Sequence, residues 1–283
     1  MNIKLIQSNI LSRYAKNGRT LPRRQTTDPY AIHISEVMLQ QTQVDRVIPY
    51  FHQRMKDFPD YTSLAKASKT DLLRHRSWLG FNSRALRLQT CAQTIIAKNW
   101  PKVAEKLTKH WTGWFKISNS NVNLTELRVE LQKLPGIGHY TSAAIMAFAW
   151  NLPVPVIDTN IRRVLIFLFK LPETITAKAL EAFAETVIPK WKSRERHNAL
   201  MDQWALLFTA RKTKIKPLSK QSKFEGSDRQ VRGRTMKQLV KHGILSIQDI
   251  EEEFPRKEVK NILKELQKEK LIQIKKWIIR IAE

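Results

Sequence analysis

A glycine-rich loop is the first part of this chain whose residue types and spacing could do chemistry. Residues 134–138 read Leu-Pro-Gly-Ile-Gly and precede a predicted helix over residues 139–150. Gly136 and Gly138 can take positive φ and let another backbone approach closely. A glycine loop before a helix directs several backbone N–H groups, and the positive end of the helix dipole, at one point. The sequence therefore predicts an anion site built from main-chain atoms.

Asp158 is a carboxylate that stands one helix beyond this loop. A connector with two prolines, residues 151–156, follows the first helix, and Asp158 then precedes a second predicted helix over residues 161–169. An aspartate before a helix is commonly an N-cap, so a purely structural role stays open. The spacing nevertheless places a phosphate-binding loop before the first helix and a carboxylate before the second.

Glu36 is a second candidate carboxylate, on a helix predicted from residue 29 to about residue 42. Positions 32, 33, 36, 37 and 40 share one side of that helix, so Glu36 lies beside Ile32 and Val37 and is poorly placed for a free surface acid. A solvated helix carboxylate is the plain alternative.

The elements that position these residues are predicted to be mainly α-helical, because the chain has only 8 glycines and many helix-forming residues. Further helices are predicted at residues 2–16, 44–58, 71–76, 84–98, 124–133, 177–188 and 198–210. Residues 99–123 look like an insertion without a predicted role. Residues 211–241 carry 11 Lys or Arg and 2 acids, a net charge of 11 − 2 = +9, and the first part, residues 211–226, is predicted to be a basic linker.

The C-terminal part, after the basic linker, has a different pattern of predicted elements from the rest of the chain. Three helices, at residues 230–241, 247–253 and 256–269, and a β-hairpin within residues 271–281 predict a small winged-helix-like domain. Its third helix could enter a DNA groove. However, that helix mixes lysines with glutamates, so packing against protein is an equal alternative. The predicted domains are therefore residues 1–210 and 227–283, joined by the linker.

Composition bounds the class of protein. With 50 Lys and Arg against 25 Asp and Glu, the net charge of +25 favours a nucleic-acid partner, although solubility alone is the alternative. The single cysteine, Cys91, excludes internal disulfides and a cysteine-ligated metal cluster, and the seven histidines lack ligand spacing. No apolar run approaches the ~20 residues that span a membrane. We expect a monomer, cytoplasmic or nucleoid-associated, with no membrane partner.

Three sequence blocks carry a family resemblance. They are LPGIGHYTSAA with the downstream VIDTNIRRV, SEVMLQQTQV at residues 35–44, and WLGFNSRA at residues 78–85. In this order and spacing they resemble the adenine glycosylase (MutY-type) branch of the helix-hairpin-helix DNA glycosylase superfamily, over residues 20–210. The resemblance implies a helix-hairpin-helix glycosylase fold. It also implies excision of adenine opposite 8-oxoguanine or guanine in double-stranded DNA, as part of base excision repair.

The resemblance implies catalytic roles for four residues. Glu36 would be the general acid that protonates the purine, and Asp158 would stabilise the oxocarbenium-like sugar, with Asn160 supporting the sugar site. Tyr140 occupies the hairpin position where relatives of the endonuclease III kind carry a nucleophilic lysine. A monofunctional enzyme without lyase activity is therefore expected. An exposed aromatic in the first turn of its helix is the alternative for Tyr140.

The resemblance also implies DNA contacts. Gln41 matches a residue that wedges beside the opposite base, and Phe81 matches an intercalating tyrosine, with core packing as the alternative for both. The hairpin glycines would give backbone N–H groups to a phosphate, and the hairpin carbonyls could hold a monovalent cation. The expected DNA-binding residues are Arg24, Gln41, Leu79, Phe81, Arg84, Gly136 and Gly138.

The chain departs from the family pattern in several places, one of which is Thr159, where the family has glycine. Most relatives bind a [4Fe–4S] cluster through four cysteines, and the matching positions here carry Phe208, Ile215, Leu218 and Phe224. No iron–sulfur cluster is expected, and we hypothesise that a small hydrophobic cluster replaces it, with coincidence as the alternative. The family's LPWR reads LPRR at residues 21–24. The C-terminal part is too short for the Nudix-like domain that reads 8-oxoguanine, so the opposite-base preference stays open.

Two rival functions remain. A thymine or uracil mismatch glycosylase would also carry tyrosine in the hairpin, and the glutamines at positions 40 and 41 favour the adenine branch. A noncatalytic DNA-binding protein on the same scaffold would need only the hairpin and a basic face. Retention of Glu36, Tyr140, Asp158 and Asn160 together argues against that second rival.

Overall fold

The computed structural model describes residues 2–74, 82–99, 123–187, 192–206, 210–216, 223–255 and 257–282. Most of these residues are helical, as the sequence predicts. Up to residue 216 the helices are α1 (Ile3–Asn17), α2 (Pro29–Leu39), α3 (Val44–Asp57), α4 (Tyr61–Lys66), α5 (Lys69–Arg74), α6 (Asn82–Ala97), α7 (Leu124–Gln132), α8 (His139–Phe148), α9 (Thr159–Phe169), α10 (Ala177–Thr186), α11 (Ser193–Leu206) and α12 (Ala210–Thr213). The remainder consists of α13 (Asp228–His242), β1 (Ile244–Ser246), α14 (Ile247–Glu253), α15 (Val259–Lys268), β2 (Ile272–Lys275) and β3 (Ile278–Ile281).

Two local differences from the predicted helices have clear causes. Helix α2 ends at Leu39 rather than near residue 42, and Gln41 then takes a left-handed φ of 61°. Helix α4 is absent from the prediction, yet its start carries a capping box. In it the Asp60 side chain accepts a hydrogen bond from the Ser63 amide at 2.7 Å, and the Ser63 hydroxyl accepts one from the Asp60 amide at 3.2 Å.

The chain divides into two compact units, each built from two segments. Unit 1 is Met1–Val37 with Asn99–Lys220, and unit 2 is Met38–Lys98 with Gln221–Glu283. The domain boundaries predicted at residues 210 and 226 do not coincide with this division. Within unit 2, α13 contacts α5, so the C-terminal helices and strands are grouped with an earlier part of the chain.

The core of unit 1 forms around α9. Helices α1 and α9 both pack on α11. The apolar residues of α9 recur at three- and four-residue spacing, which gives the helix one buried face. The fully buried residues of this core are Ile10, Ile161, Val164, Leu165, Phe169, Leu180, Ala184, Val187, Ala199 and Leu200.

The hairpin of unit 1 leads directly into α8, whose residues 141–148 are all buried. Gly136 has φ +82°, the left-handed conformation that glycine adopts without steric cost. Gly138, the N-cap of α8, has φ −92° and ψ −173°. The predicted freedom at positive φ is therefore used by Gly136 and not by Gly138.

The C-terminal part of unit 2 has the predicted three helices and β-hairpin, together with a third strand, β1. The sheet order is β1-β3-β2, antiparallel throughout, with Ile272 opposite Ile281 and Ile244 opposite Arg280. Helix α15 buries an apolar face in this domain, formed by Val259, Ile262, Leu263 and Leu266. The order helix, strand, two helices, hairpin is that of a small winged-helix-like domain.

Several predicted features lie outside the described residues. They are Leu79 and Phe81, the apolar residues Phe208 and Leu218, and nearly all of the insertion at residues 99–123. Among the helices that the structure describes, none combines the length and the apolar character that a membrane crossing requires.

Candidate active site

Glu36 lies on α2 with only 2% of its surface exposed, so it is not a solvated helix carboxylate. Both of its carboxylate oxygens are occupied. Arg23 donates from Nη1 to Oε1 at 3.1 Å, and the Tyr140 hydroxyl donates to Oε2 at 2.9 Å. Arg23, 13 residues away in sequence, and Tyr140, 104 residues away, therefore both contact one buried carboxyl group.

The pKa of Glu36 is raised above its ordinary value. Burial is the largest cause, because removal from water disfavours the charged form. The Arg23 charge and the Tyr140 hydrogen bond lower the pKa, while the nearby Asp158 charge raises it. The balance moves Glu36 toward a carboxyl group that can hold a proton, which is the property required of a general acid.

Tyr140 stands in the first turn of α8. Burial, followed by the charges of Glu36 and Asp158, raises the pKa of Tyr140 well above 10. Its phenol therefore stays protonated and donates to Glu36. It is not an exposed aromatic side chain, the alternative that the sequence left open.

Asp158 is the N-cap of α9, and its Oδ1 accepts a hydrogen bond from the Ile161 amide at 2.6 Å. Burial raises the pKa of Asp158, while hydrogen bonds from the Ile161 and Asn160 amides and the Arg163 charge lower it. The capping role and a role in chemistry are compatible. One carboxylate oxygen caps the helix, while the charge of the group acts on Glu36 and Tyr140.

The residues after Asp158 are held by Arg163. Its Nη1 donates to Asn160 Oδ1 at 3.4 Å, and its Nε donates to the Ile215 carbonyl at 3.0 Å. Ile215 is itself buried. The start of α9 is thus tied to the segment that follows α12.

A buried histidine supports the other side of the Asp158 segment. His197 Nε2 accepts a hydrogen bond from the Val156 amide at 3.0 Å, while Nδ1 lies 2.7 Å from the Ser193 carbonyl. Burial is the main cause that lowers the pKa of His197 to about 4, so the ring is neutral near pH 7. It fixes the connecting residues that lead to Asp158.

Arg24, expected to bind DNA, is instead buried in an ion pair. Its Nη2 and Nη1 donate to the two Asp202 oxygens at 2.7 and 2.9 Å. Arg19 adds two more hydrogen bonds to Asp202, from its Nε at 2.7 Å and from its backbone amide at 2.9 Å. The Arg24 and Asp202 side chains are each only 5% exposed. Burial acts to raise the pKa of Asp202, but hydrogen bonds from Arg24 and Arg19 outweigh it, so the pKa is lowered. Arg24 therefore fixes the loop that carries Arg23.

The hairpin leaves room beside its second glycine. Gly136 and Gly138 are exposed, and a Cβ built on Gly138 would meet no atom within 4 Å. No side chain caps the N-terminus of α8 from this position. Neither φ nor the space inside the protein therefore requires glycine at position 138.

Gln41 and Arg84, two predicted DNA contacts, meet within unit 2. Arg84 donates from Nη1 to the Gln40 carbonyl at 2.6 Å and from Nη2 to Gln41 Oε1 at 3.3 Å. Burial lowers the pKa of Arg84 to about 10. Gln41 is exposed, and Arg84 stabilises the turn that presents it.

Sequence reasoning missed Arg23, Asp202 and His197. Only Arg23 gave a usable signal, because an arginine replaces the tryptophan of a family motif and stands 13 residues before Glu36. The contacts of Asp202 and His197 join parts of the chain more than 40 residues apart, which no local pattern reveals.

Comparison with known proteins agrees with this geometry. A family model described as HhH-GPD superfamily base excision DNA repair protein matches residues 34–190, a span that includes Glu36, the hairpin and Asp158. An adenine DNA glycosylase from Buchnera aphidicola subsp. Baizongia pistaciae is 34% identical over 210 residues, 73% of this chain and 54% of the relative. The adenine DNA glycosylase of Mycolicibacterium smegmatis is 32% identical over 248 residues, 80% of this chain and 78% of the relative.

The chain is also similar to a solved structure whose named base is thymine rather than adenine. A thermostable thymine-DNA glycosylase superposes with a TM-score of 0.62 at 28% identity, covering 74% of this chain and 89% of that one. The chain spans about half the length of several curated relatives that it matches.

Proposed function

Because the chain belongs to the HhH-GPD superfamily of base excision DNA repair proteins, we propose that it is a monofunctional DNA glycosylase. Its substrate would be adenine mispaired with 8-oxoguanine or guanine in double-stranded DNA. The observation that carries the proposal is the buried Glu36 carboxyl group, held between Arg23 and Tyr140 in the field of Asp158. The names of the adenine glycosylase relatives support the choice of base.

Glu36 would supply the proton that makes adenine a leaving group. Its burial and raised pKa favour the protonated carboxyl group. The proton passes to a ring nitrogen of the purine while the bond between the base and the sugar breaks, and the electron pair of that bond stays with the base. Arg23 and Tyr140 fix the carboxyl group in position and later stabilise the carboxylate that remains.

Asp158 would stabilise the positive charge that develops on the sugar. Its carboxylate is held by the first amides of α9, which keep its orientation fixed. A water molecule then adds to the anomeric carbon and gives up a proton, leaving an abasic site and free adenine. Asn160, oriented by Arg163, would complete the sugar site.

Tyr140 supports hydrolysis without strand cleavage. A lyase needs an amine that forms a Schiff base with the sugar. The Tyr140 phenol is bonded to Glu36 and has a pKa well above 10. Abasic sites should therefore persist until alkali cleaves them.

DNA contact would use the hairpin and the Gln41 turn. The open space at Gly138 suits a phosphate that accepts hydrogen bonds from the hairpin amides, with a monovalent cation on the hairpin carbonyls. The exposed Gln41 suits contact with the base opposite the flipped adenine. In the same proposal the chain works as a monomer.

The proposal includes no iron–sulfur cluster. Ile215, one of the four apolar residues at the cysteine positions, is buried, and its carbonyl accepts a hydrogen bond from Arg163. Phe224 does not support a shared hydrophobic cluster, since it is 59% exposed and lies 6.0 Å from Arg229. Packing around Ile215 would then position the loop without metal.

A thymine or uracil mismatch glycosylase is the second candidate, favoured by the similarity to a thymine-DNA glycosylase. Single-turnover base release from duplexes carrying A:8-oxoguanine, A:G, T:G and U:G separates the two. Aliquots with and without alkali report lyase activity. Glu36→Gln and Asp158→Asn keep the shapes of the two side chains and remove their charge.

We expect adenine release that requires alkali for strand cleavage. Glu36→Gln should slow it roughly 100- to 10,000-fold, the usual contribution of a general acid. Release of only thymine or uracil would identify the protein as a thymine or uracil mismatch glycosylase, the second candidate. Binding without release from any duplex would mean a noncatalytic DNA-binding protein.

A further inference from the structure

The C-terminal domain separates its charges between two sides. On the helical side, four cations form ion pairs with acids. The ion pairs are Arg232–Glu269 and Arg234–Glu253 at 2.6 Å, Lys257–Asp228 at 3.0 Å and Lys260–Glu251 at 3.6 Å. Residues 228–270 carry 11 Lys or Arg and 8 Asp or Glu, so their net charge of 11 − 8 = +3 is spread over many residues and mixed with acids.

The sheet side is purely cationic. Residues 271–282 contain three cations and no acid. Lys275, Lys276 and Arg280 are all exposed, and none forms an ion pair within the part of the chain that the structure describes. Unpaired exposed cations gain most from a partner that carries many negative charges.

The strand register puts Lys275 and Arg280 on one face together with apolar residues, while Lys276 lies in the turn between β2 and β3. Lys275 stands opposite Ile278, and Arg280 stands between Gln273 and Ile244. Alternate residues point to the same side of a strand, so these side chains share the outer face, whereas Ile279 and Ile281 are buried on the inner face. Ile244 and Ile278 remain 48% and 43% exposed.

Trp277 projects from the turn between β2 and β3 and is 69% exposed. The turn itself is fixed, because the Trp277 carbonyl accepts a hydrogen bond from the Ile247 amide at 3.0 Å. Lys260 lies 6.0 Å from the indole ring. A large aromatic ring is thus held in solvent, flanked in sequence by lysine, and adds nothing to the core of the domain.

We propose that this surface, formed by Lys275, Lys276, Trp277, Ile278 and Arg280 and called here the wing face, binds duplex DNA. The cations contact backbone phosphates, and the indole packs on sugars and base edges in a groove. The helix predicted to enter a groove, α15, is less suited, since Glu258, Glu265 and Glu269 accompany its lysines. The proposal goes beyond base excision because it gives the C-terminal domain its own DNA contact.

The test is the salt dependence of binding of the full chain to an undamaged duplex. Each phosphate contact contributes a slope of about −0.9 in log K against log salt. Lys275→Gln with Lys276→Gln should weaken binding and reduce the slope by about 2. The matched control is Lys264→Gln with Lys268→Gln, which removes the same charge from exposed positions on α15 and should leave the slope nearly unchanged.

Trp277→Ala should lower affinity about tenfold without a change in slope, because the indole is uncharged. Phe224→Ala removes another exposed aromatic residue and serves as its control. Equal changes of slope in both lysine pairs would show that binding depends on the total charge of the chain and not on the wing face. An unchanged slope in the wing-face variant would show that these lysines do not contact DNA phosphates and would point to another partner. Either result overturns the proposal. Undamaged duplex makes the outcome independent of base release.

Discussion

The charged groups around Glu36 differ from those of the wing face in burial and in pairing. In the first region Arg23 and Glu36 are 10% and 2% exposed and bonded to each other. In the second, Lys275, Lys276 and Arg280 are exposed and unpaired among the described residues. Buried, paired charges set pKa values and orientation, whereas exposed, unpaired charges attract a polyanion. The cations of these two regions are therefore suited to two different roles.

The two regions should also respond differently to solution conditions. Salt screens exposed charges within about 8 Å at physiological ionic strength and affects buried pairs much less. We therefore expect pH to govern the Glu36 region and salt to govern the wing face. The following experiments test that distinction, beginning with the largest effect.

Breaking the buried ion pair at Asp202 should cost the most stability. Asp202→Asn leaves Arg19 and Arg24 without their carboxylate, and loss of one partner in a buried pair lowers the free energy of unfolding by about 3–5 kcal/mol. Glu195→Gln on the same helix is the matched control. Its ion pair with Lys192 is more than half exposed and should contribute about 0–1 kcal/mol.

The pH dependence of the Asp202 effect has a defined sign. Its pKa is lowered in the folded protein, so its stabilisation is present above the unfolded value and is lost as pH falls through the folded value. Thermal melts should show the largest difference between Asp202→Asn and the unsubstituted chain near pH 7, shrinking in acid below about pH 4. Equal losses at all pH values would contradict a role for the carboxylate charge.

Gly138→Ala should separate DNA affinity from stability. Its φ of −92° is open to alanine and the added Cβ meets no atom, so the melting temperature should stay the same or rise slightly. Affinity for duplex DNA should fall about tenfold, because the methyl group keeps a phosphate from the hairpin amides. Gly233→Ala on α13, which also has free space, is the control. Equal affinities of the two variants for DNA would show that the hairpin is not part of the DNA-binding site.

Arg23→Met should shift the pH profile of base release. The guanidinium lowers the pKa of Glu36, so its loss raises that pKa and release should persist to higher pH. Arg23→Lys keeps the positive charge and should stay closer to the unsubstituted profile. A shift toward lower pH in the methionine variant would show that Arg23 does not act on Glu36.

Local residue patterns predicted the parts of the site that depend on neighbours in sequence. Asp158 caps α9 because an aspartate precedes an apolar helix, and the burial of Glu36 follows from its place beside Ile32 and Val37. Tyr140 meets Glu36 across 104 residues, and only the family resemblance brought them into one site. Arg24 was misassigned because sequence shows a cation but not its buried partner, Asp202.

The same limit applies to the fold. Most of the longer helices were predicted to within a few residues, since apolar periodicity is local, whereas the short helices α4 and α12 were missed. Strand β1 was missed because three residues are too few to show alternation. Residues 221–283 are grouped with 38–98, and α13 contacts α5 within that unit, an arrangement that no boundary signal in the sequence encodes.

The most direct test of the proposed chemistry is the pH dependence of single-turnover adenine release from an A:8-oxoguanine duplex. The unsubstituted chain should lose activity as pH rises through the raised pKa of Glu36, because the acid has then lost its proton. Glu36→Gln should show a small residual rate without that alkaline limb. The same alkaline limb in Glu36→Gln, at an unreduced rate, would contradict the assignment of Glu36 as the general acid.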